Sequence, residues 1–298
     1  MANWNQILDE INKEGSTHDI IRRKYLLKLH KLTGRNVIAY YSGWLQKPSS
    51  SEIIINDNDK NGFMTTINKL NREKGLDLIL HTPGGDTAAT ESIIDYLTKM
   101  FSDIRVIVPQ LAMSGGTMIA CASNKILMGK HSSLGPIDPQ FGGVPAHGIL
   151  EEFNQAHEEI KKDQSKVLLW QHIIAKYNPT LIGECQKSIM WSEKIVTDCL
   201  KNRMLKGSKK LDQKVKNIIT ELGNHAVNLS HGRHLSAEKC KEIGLKIEML
   251  EDNQGLQDAV LSVHHAFMHT LTATPASKII ENHNKVAYIQ TAQTFILK

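Results

Sequence analysis

Ser114 stands in Ala112-Met113-Ser114-Gly115-Gly116-Thr117, and a second glycine pair precedes it in His81-Thr82-Pro83-Gly84-Gly85-Asp86. Each segment follows an apolar, β-type run and opens a helix-like run. Two such turns can set a hydroxyl nucleophile beside two groups of free backbone N–H donors, which is what acyl transfer needs. The same serine can be read as a helix N-cap, accepting from the N–H groups of the first turn. A cap alone does not account for the two glycines that follow, since each costs about 1 kcal/mol in a helix relative to alanine. Nucleophile and cap both stay open on the pattern. Pro83-Gly84-Gly85 reads as a tight strand-to-helix turn, and equally as a small anion site of exposed N–H groups. On neighbouring parallel strands the two turns would share the carboxyl edge of a sheet, where ligand sites form.

The elements that must hold these turns are legible in outline. Residues 1–32 read as two helices broken at Gly15-Ser16-Thr17. Arg35-Asn36-Val37-Ile38-Ala39-Tyr40-Tyr41 is a short, β-rich apolar run, hence a buried strand. Asn56 to Lys74 carries helical spacing. The strand Leu76-Asp77-Leu78-Ile79-Leu80 then delivers the chain into the first glycine turn. A helix over 86–101 aligns Ile93, Ile94, Leu97 and Phe101, a strand covers 104–108, and Ser114 begins the next helix. Lys125-Ile126-Leu127-Met128 is a fourth strand. This alternation predicts an α/β fold with a mostly parallel sheet and helical crossovers. Beyond Gly148 the pattern is almost wholly helical, with one strand at Lys246-Ile247-Glu248-Met249-Leu250.

Three motifs in order, His81-Thr82-Pro83-Gly84-Gly85, Ala112-Met113-Ser114-Gly115-Gly116-Thr117 and Ser132-Ser133-Leu134-Gly135-Pro136-Ile137-Asp138-Pro139-Gln140, resemble the serine dehydrogenase proteinase family. That family is related to signal peptide peptidase A and Clp protease within the Clp/crotonase superfamily. The likeness runs from about Arg22 to about Thr272 and includes Gly34-Arg35-Asn36-Val37-Ile38 and Arg233-His234-Leu235. It implies a Clp/crotonase-like fold with helical N- and C-terminal additions, Ser114 as nucleophile, and Gly85 and Gly115 N–H groups as the oxyanion hole, with Gly84 shaping the turn. Residues 1–33 are then a helical extension, 34–272 the peptidase domain with its helical C-terminal half, and 273–298 a C-terminal tail. The resemblance also implies a homo-oligomer.

A serine hydroxyl needs a base. Clp proteases place a histidine beyond the serine where this chain reads Ile137-Asp138-Pro139-Gln140, without one. His131 and His147 flank that stretch and could form a triad with Asp138. Signal peptide peptidases use a lysine further on, in a window that here holds Lys161, Lys162 and Lys166. A lysine base must be desolvated or set near other cations to titrate near neutrality. Lys166, followed by Val167-Leu168-Leu169-Trp170, is the choice, against a reading of all three as solvated charges. The stiff turn containing Pro136 and Asp138 is expected to border the cleft.

The remaining features exclude more than they assign. Hydrophobic residues make up 41% of the 298, enough for a sizeable core. The net charge of +5 is mixed along the chain, which gives no support to nucleic-acid binding. Cys121, Cys185, Cys199 and Cys240 form no C-x-x-C pair and fit a reducing compartment. No signal peptide or apolar run of spanning length is read, so a cytoplasmic protein without a transmembrane anchor is expected. His264, His265 and His269 read as a partly exposed helix face, and His225, His231 and His234 as a loose loop cluster, with no metal assigned to either. Lys201 to Lys216 reads as a solvated helical face. No ATPase motif occurs, and no cofactor is expected. The sequence therefore predicts an ATP-independent serine endopeptidase with a Ser114–Lys166 dyad, acting on peptides or unfolded proteins. Its rivals are a crotonase-like enzyme acting on acyl thioesters, which needs no Ser114 nucleophile, and a non-catalytic scaffold of the same fold.

Overall fold

The computed structural model describes residues 4–14, 18–47, 51–223 and 230–291. The chain begins α1 (Trp4–Lys13), α2 (His18–Thr33), β1 (Asn36–Ser42), α3 (Asn58–Ile67), β2 (Leu76–His81), α4 (Thr87–Met100), β3 (Ile104–Val108) and β4 (Leu111–Ala112). It continues through α5 (Gly115–Cys121), β5 (Lys125–Met128), β6 (Ser133–Leu134), β7 (Gln140–Phe141) and β8 (Val144–Pro145). A helical lobe follows, α6 (Ala146–Lys162), α7 (Val167–Ile174), α8 (Leu181–Cys199) and α9 (Leu211–Gly223). The chain then returns as β9 (Leu235–Ser236), α10 (Ala237–Ile243), β10 (Ile247–Met249), α11 (Gln254–Ala273), β11 (Ala276–Asn282) and β12 (Ala287–Thr291). The break expected at Gly15-Ser16-Thr17 lies outside the described residues.

Seven strands form one sheet in the order β10-β5-β3-β2-β1-β11-β12. The five from β10 to β1 pair in parallel, as the strand–helix alternation requires. Each face is covered by its own apolar layer. Ile38, Tyr40, Leu78, Leu80 and Val106 pack toward α3, α4, α5 and α9. Val37, Ala39, Tyr41, Ile79 and Ile107 pack toward α1, α2 and α11. Burial on both faces explains why these strands read as near-continuous apolar runs, broken at Asp77 and Arg105, rather than as alternating ones. The helix expected across 56–74 stops at Ile67, because Asn68 turns to an extended backbone (ψ 133°) and Asn71 caps a separate short turn at Glu73 N–H.

The expected C-terminal tail contains two further strands. β11 pairs antiparallel with β1 and carries β12 on its other edge, and all seven of its residues are buried. Polar residues on both of its faces hide it from a pattern search, yet each charge has a partner. Glu281 accepts from Arg22 Nε and Arg23 Nε at 2.8 Å each, and Lys278 Nζ donates to Asp59 at 2.7 Å. Removing one member of such a buried pair costs about 3–5 kcal/mol, because the other charge is left uncompensated.

A smaller sheet, β4-β6-β9, stands at the carboxyl edge of the large one. β4 and β6 run parallel, and β9 runs antiparallel to β6. The residues that follow β4, those that follow β6 and those that precede β9 therefore emerge at one end.

Candidate active site

The two glycine turns are stitched together by backbone hydrogen bonds. Thr82 N–H donates to Leu111 O (3.2 Å) and Met113 N–H donates to Thr82 O (3.0 Å). At Gly84 the backbone takes φ +91°, and a Cβ there would lie 2.6 Å from Ser114 Cβ and 2.8 Å from Gly115 N. Only glycine permits both the conformation and the approach. Gly85 lies against Ile55, whose N–H donates to Gly84 O (2.8 Å) and whose carbonyl accepts from Asp86 N–H (2.9 Å). Asp86 then caps α4 by accepting from Ala89 N–H at 2.8 Å.

Ser114 occupies the N-cap position of α5 but caps nothing. Its backbone is at φ 51°, ψ −116°, and its side chain makes no cap hydrogen bond. A non-glycine residue in such a conformation stores about 1–3 kcal/mol, and such strain collects at functional sites. The cap reading is thereby removed. The next two glycines answer to packing: a Cβ on Gly115 would meet Thr90 Oγ1 at 2.6 Å, and one on Gly116 would meet Thr82 Cγ2 at 2.6 Å. Among the described residues, the N–H groups of Gly85 and Gly115 have no protein acceptor, whereas Gly84 N–H is held by Thr82 Oγ1 at 3.2 Å. Two unpaired donors thus flank a strained, half-buried serine.

The third motif packs against the serine helix. Thr117 Oγ1 accepts from Gly135 N–H (3.1 Å) and lies 2.8 Å from Gly135 O. Ile137 N–H donates to Leu222 O at 2.9 Å, which ties the motif to the end of α9. Pro136 and Asp138 are both buried, so neither offers an open cleft wall. Asp138 Oδ1 lies 2.8 Å from His231 Nδ1, and Oδ2 accepts from Gln140 Nε2 at 3.0 Å. The carboxylate is fully buried and the imidazole is 28% exposed. A carboxylate can only accept, so a neutral imidazole in this pair would donate from Nδ1 and leave its Nε2 lone pair free. Ser114 follows β4, Asp138 follows β6 and His231 precedes β9, so all three belong to the same end of the small sheet.

His231 carries no signal of this pairing in the sequence, where it reads only as part of a loose loop cluster, since Asp138 lies far away along the chain. His225 of that cluster lies outside the described residues. His131 is exposed on the turn after β5, and His147 sits on α6; the hydrogen-bonded imidazole at Asp138 is neither of them. Lys161 and Lys162 are exposed at the end of α6. Lys166 Nζ pairs with Glu159 Oε2 at 3.1 Å, and neither Lys166 nor His231 hydrogen-bonds Ser114. Hydrogen bonds from Gln155, Lys166 and Trp170 pull the Glu159 carboxyl down to about 2. The apolar run after Lys166 leaves it 42% exposed, because Leu168 and Leu169 face solvent and only Trp170 is buried.

The histidines of α11 correct another expectation. His264 and His269 are 7% and 5% exposed, packed among Tyr41, His81 and Trp4 rather than on an open face. Burial holds His264 well below the usual imidazole range and pushes His81 down to about 3. Among the described residues, no group of three or more His, Cys, Asp or Glu is placed to hold a metal ion. No helix among them is long and apolar enough to cross a membrane.

A largely parallel α/β sheet with paired glycine turns and a strained serine at its carboxyl edge defines a ClpP/crotonase-type protein. The family of ClpP-like SDH-type serine proteinases matches residues 18–254, and the chain belongs to it. It is also 34% identical over 190 residues to uncharacterized protein MJ0137 of Methanocaldococcus jannaschii, covering 64% of this chain and 59% of that protein. Uncharacterized protein MJ1495 of the same organism is 30% identical over 231 residues, covering 76% of this chain and 71% of its own. The alignment to MJ0137 thus spans less than two thirds of that protein's length.

Proposed function

We propose that the protein is an ATP-independent serine peptidase that cleaves peptides or unfolded proteins through an acyl-enzyme on Ser114. The observation that carries this reading is the Ser114 backbone at φ 51°, ψ −116°, with its hydroxyl unused as a cap and the Gly85 and Gly115 amides unpaired beside it. A crotonase-like acyl-thioester enzyme would use the amides but has no need of the strained serine.

In this mechanism Ser114 Oγ attacks the scissile carbonyl carbon, and the general base takes the hydroxyl proton. The Gly85 and Gly115 N–H groups receive the oxyanion, each such donor being worth about 3–4 kcal/mol in the transition state. Collapse expels the amine, which leaves with the proton from the base, and water then releases the acyl group by the same route. His231 is the base we favour, with Asp138 orienting its Nε2 and stabilising the imidazolium. The order Ser, Asp, His along the chain is also that of α/β-hydrolases. Lys166, the base expected from the sequence, would first have to leave Glu159 and lose water. We further propose that the chain works as a homo-oligomer without a cofactor.

The test is hydrolysis of an unfolded protein without nucleotide by wild type, Ser114→Ala, His231→Ala and Lys166→Ala. The reading requires cleavage by wild type and Lys166→Ala, and its loss in the other two. Loss in Lys166→Ala with retention in His231→Ala would transfer the role of base to the lysine. Equal cleavage by wild type and Ser114→Ala would defeat the peptidase reading.

A further inference from the structure

The oxyanion turn rests on Ile55, which leaves a short 3-10 turn (Ser51–Ile53) by way of Ile54, and that segment is itself held from below. Ile55 makes two backbone hydrogen bonds to the turn, donating to Gly84 O and accepting from Asp86 N–H. On the other side, Lys278 Nζ donates to Ile54 O at 2.7 Å and Ser42 Oγ donates to Ile53 O. Ser42 and Lys278 are cross-strand partners at one end of the β1–β11 pair. Lys278 is fixed in turn by Asp59 at 2.7 Å, and Asp59 also accepts from Tyr40 Oη (2.8 Å) and Asn56 N–H (3.1 Å). The side chains of Lys278 and Asp59 are both 0% exposed.

A buried ion pair is a poor way to gain stability alone, since desolvation offsets most of the attraction. Placed here it does something an apolar pair could not, which is to donate a charge-assisted hydrogen bond to the carbonyl next to Ile55. We propose that Lys278, seated on Asp59, is a positioning residue for the reaction: it anchors Ile54–Ile55 and through them fixes where the Gly85 N–H points. The inference rests on the peptidase reading for its catalytic consequence. It gives β11, which lies beyond the residues matched by the family, a part in the active site.

The test pairs kinetics with amide hydrogen exchange. Lys278→Met combined with Asp59→Asn removes the pair without stranding a charge and keeps an acceptor for Tyr40 and Asn56. Amide exchange at Ile55 and Asp86 should quicken at least tenfold. At the same time kcat should fall at least tenfold while KM stays within about twofold, because donor placement matters in the transition state. Ser42→Ala, which removes only the neighbouring tether, should shift both readouts the same way by a smaller factor, and it decides the question should the double variant not fold. Unchanged exchange at Ile55 and Asp86 would overturn the proposal, and so would faster exchange with unchanged kcat. A wild type without hydrolytic activity would instead defeat the peptidase reading, and the exchange rates alone would then decide whether Lys278 anchors the turn.

Discussion

Gly84→Ala probes the join between the two turns with a single methyl group. The new Cβ would lie 2.6 Å from Ser114 Cβ, 2.7 Å from Met113 O and 2.8 Å from Gly115 N. None of these is the end of a flexible side chain, so relief requires the two turns to separate by several tenths of an ångström or more. The φ of +91° adds strain for any residue with a Cβ, about 1–2 kcal/mol. Together with the clash, a stability loss of about 2–4 kcal/mol is expected. The activity loss should exceed what unfolding explains, because a shift approaching 1 Å at reacting groups costs about 100-fold. Urea denaturation and peptide hydrolysis on the same preparation separate the two effects. A folded Gly84→Ala protein with activity within threefold of wild type would refute the placement of Gly84 against Ser114.

Three further outcomes are expected. Asp138→Asn should keep the fold and lower kcat by about 10³–10⁴-fold, because the amide no longer fixes the imidazole tautomer; a loss under tenfold would remove His231 as base. Stability should fall with acid through His81 and His264. Burial holds the His81 imidazole at about 3 and His264 well below 6.5, so in the folded state both stay neutral where the unfolded chain takes up protons. Their stabilisation is complete above pH 6.5 and is lost as pH falls, toward 3 for His81, whose share of the loss by pH 5 is about 2 kcal/mol. Urea midpoints at pH 7.5 and 5 measure this, and equal midpoints would contradict it. Gly183→Ala, in the first turn of α8 with nothing within 4 Å of the added methyl, should stabilise by about 0.5–1 kcal/mol without changing activity.

The parallel strands are legible because burial on both faces leaves apolar runs such as Val37 to Tyr41 and Leu78 to Leu80. The glycine turns were legible because close backbone approach admits no other residue. β11 was not, since Lys278 and Glu281 look like surface residues until Asp59, Arg22 and Arg23 are brought to them from far along the chain. The same distance hid His231. Its carboxylate lies at Asp138, across the whole helical lobe, and nothing local to either residue announces the pair. Lys166 was attractive for the opposite reason: the apolar run behind it looked like a burying surface, but Leu168 and Leu169 turn outward. His264 and His269 are buried where the sequence suggests a partly exposed face, because α11 is apolar on nearly all sides and its histidines are part of that packing.

The central claim is that Ser114 is an activated nucleophile. Intact-protein mass measurement after treatment with a fluorophosphonate tests it most directly, since the reagent phosphonylates only a serine whose hydroxyl is activated and whose oxyanion donors are in place. Wild type should gain one adduct, mapped to Ser114 by peptide sequencing. Ser114→Ala should gain none, and His231→Ala should react far more slowly. An unmodified wild-type protein, or an adduct on another residue, would contradict the account.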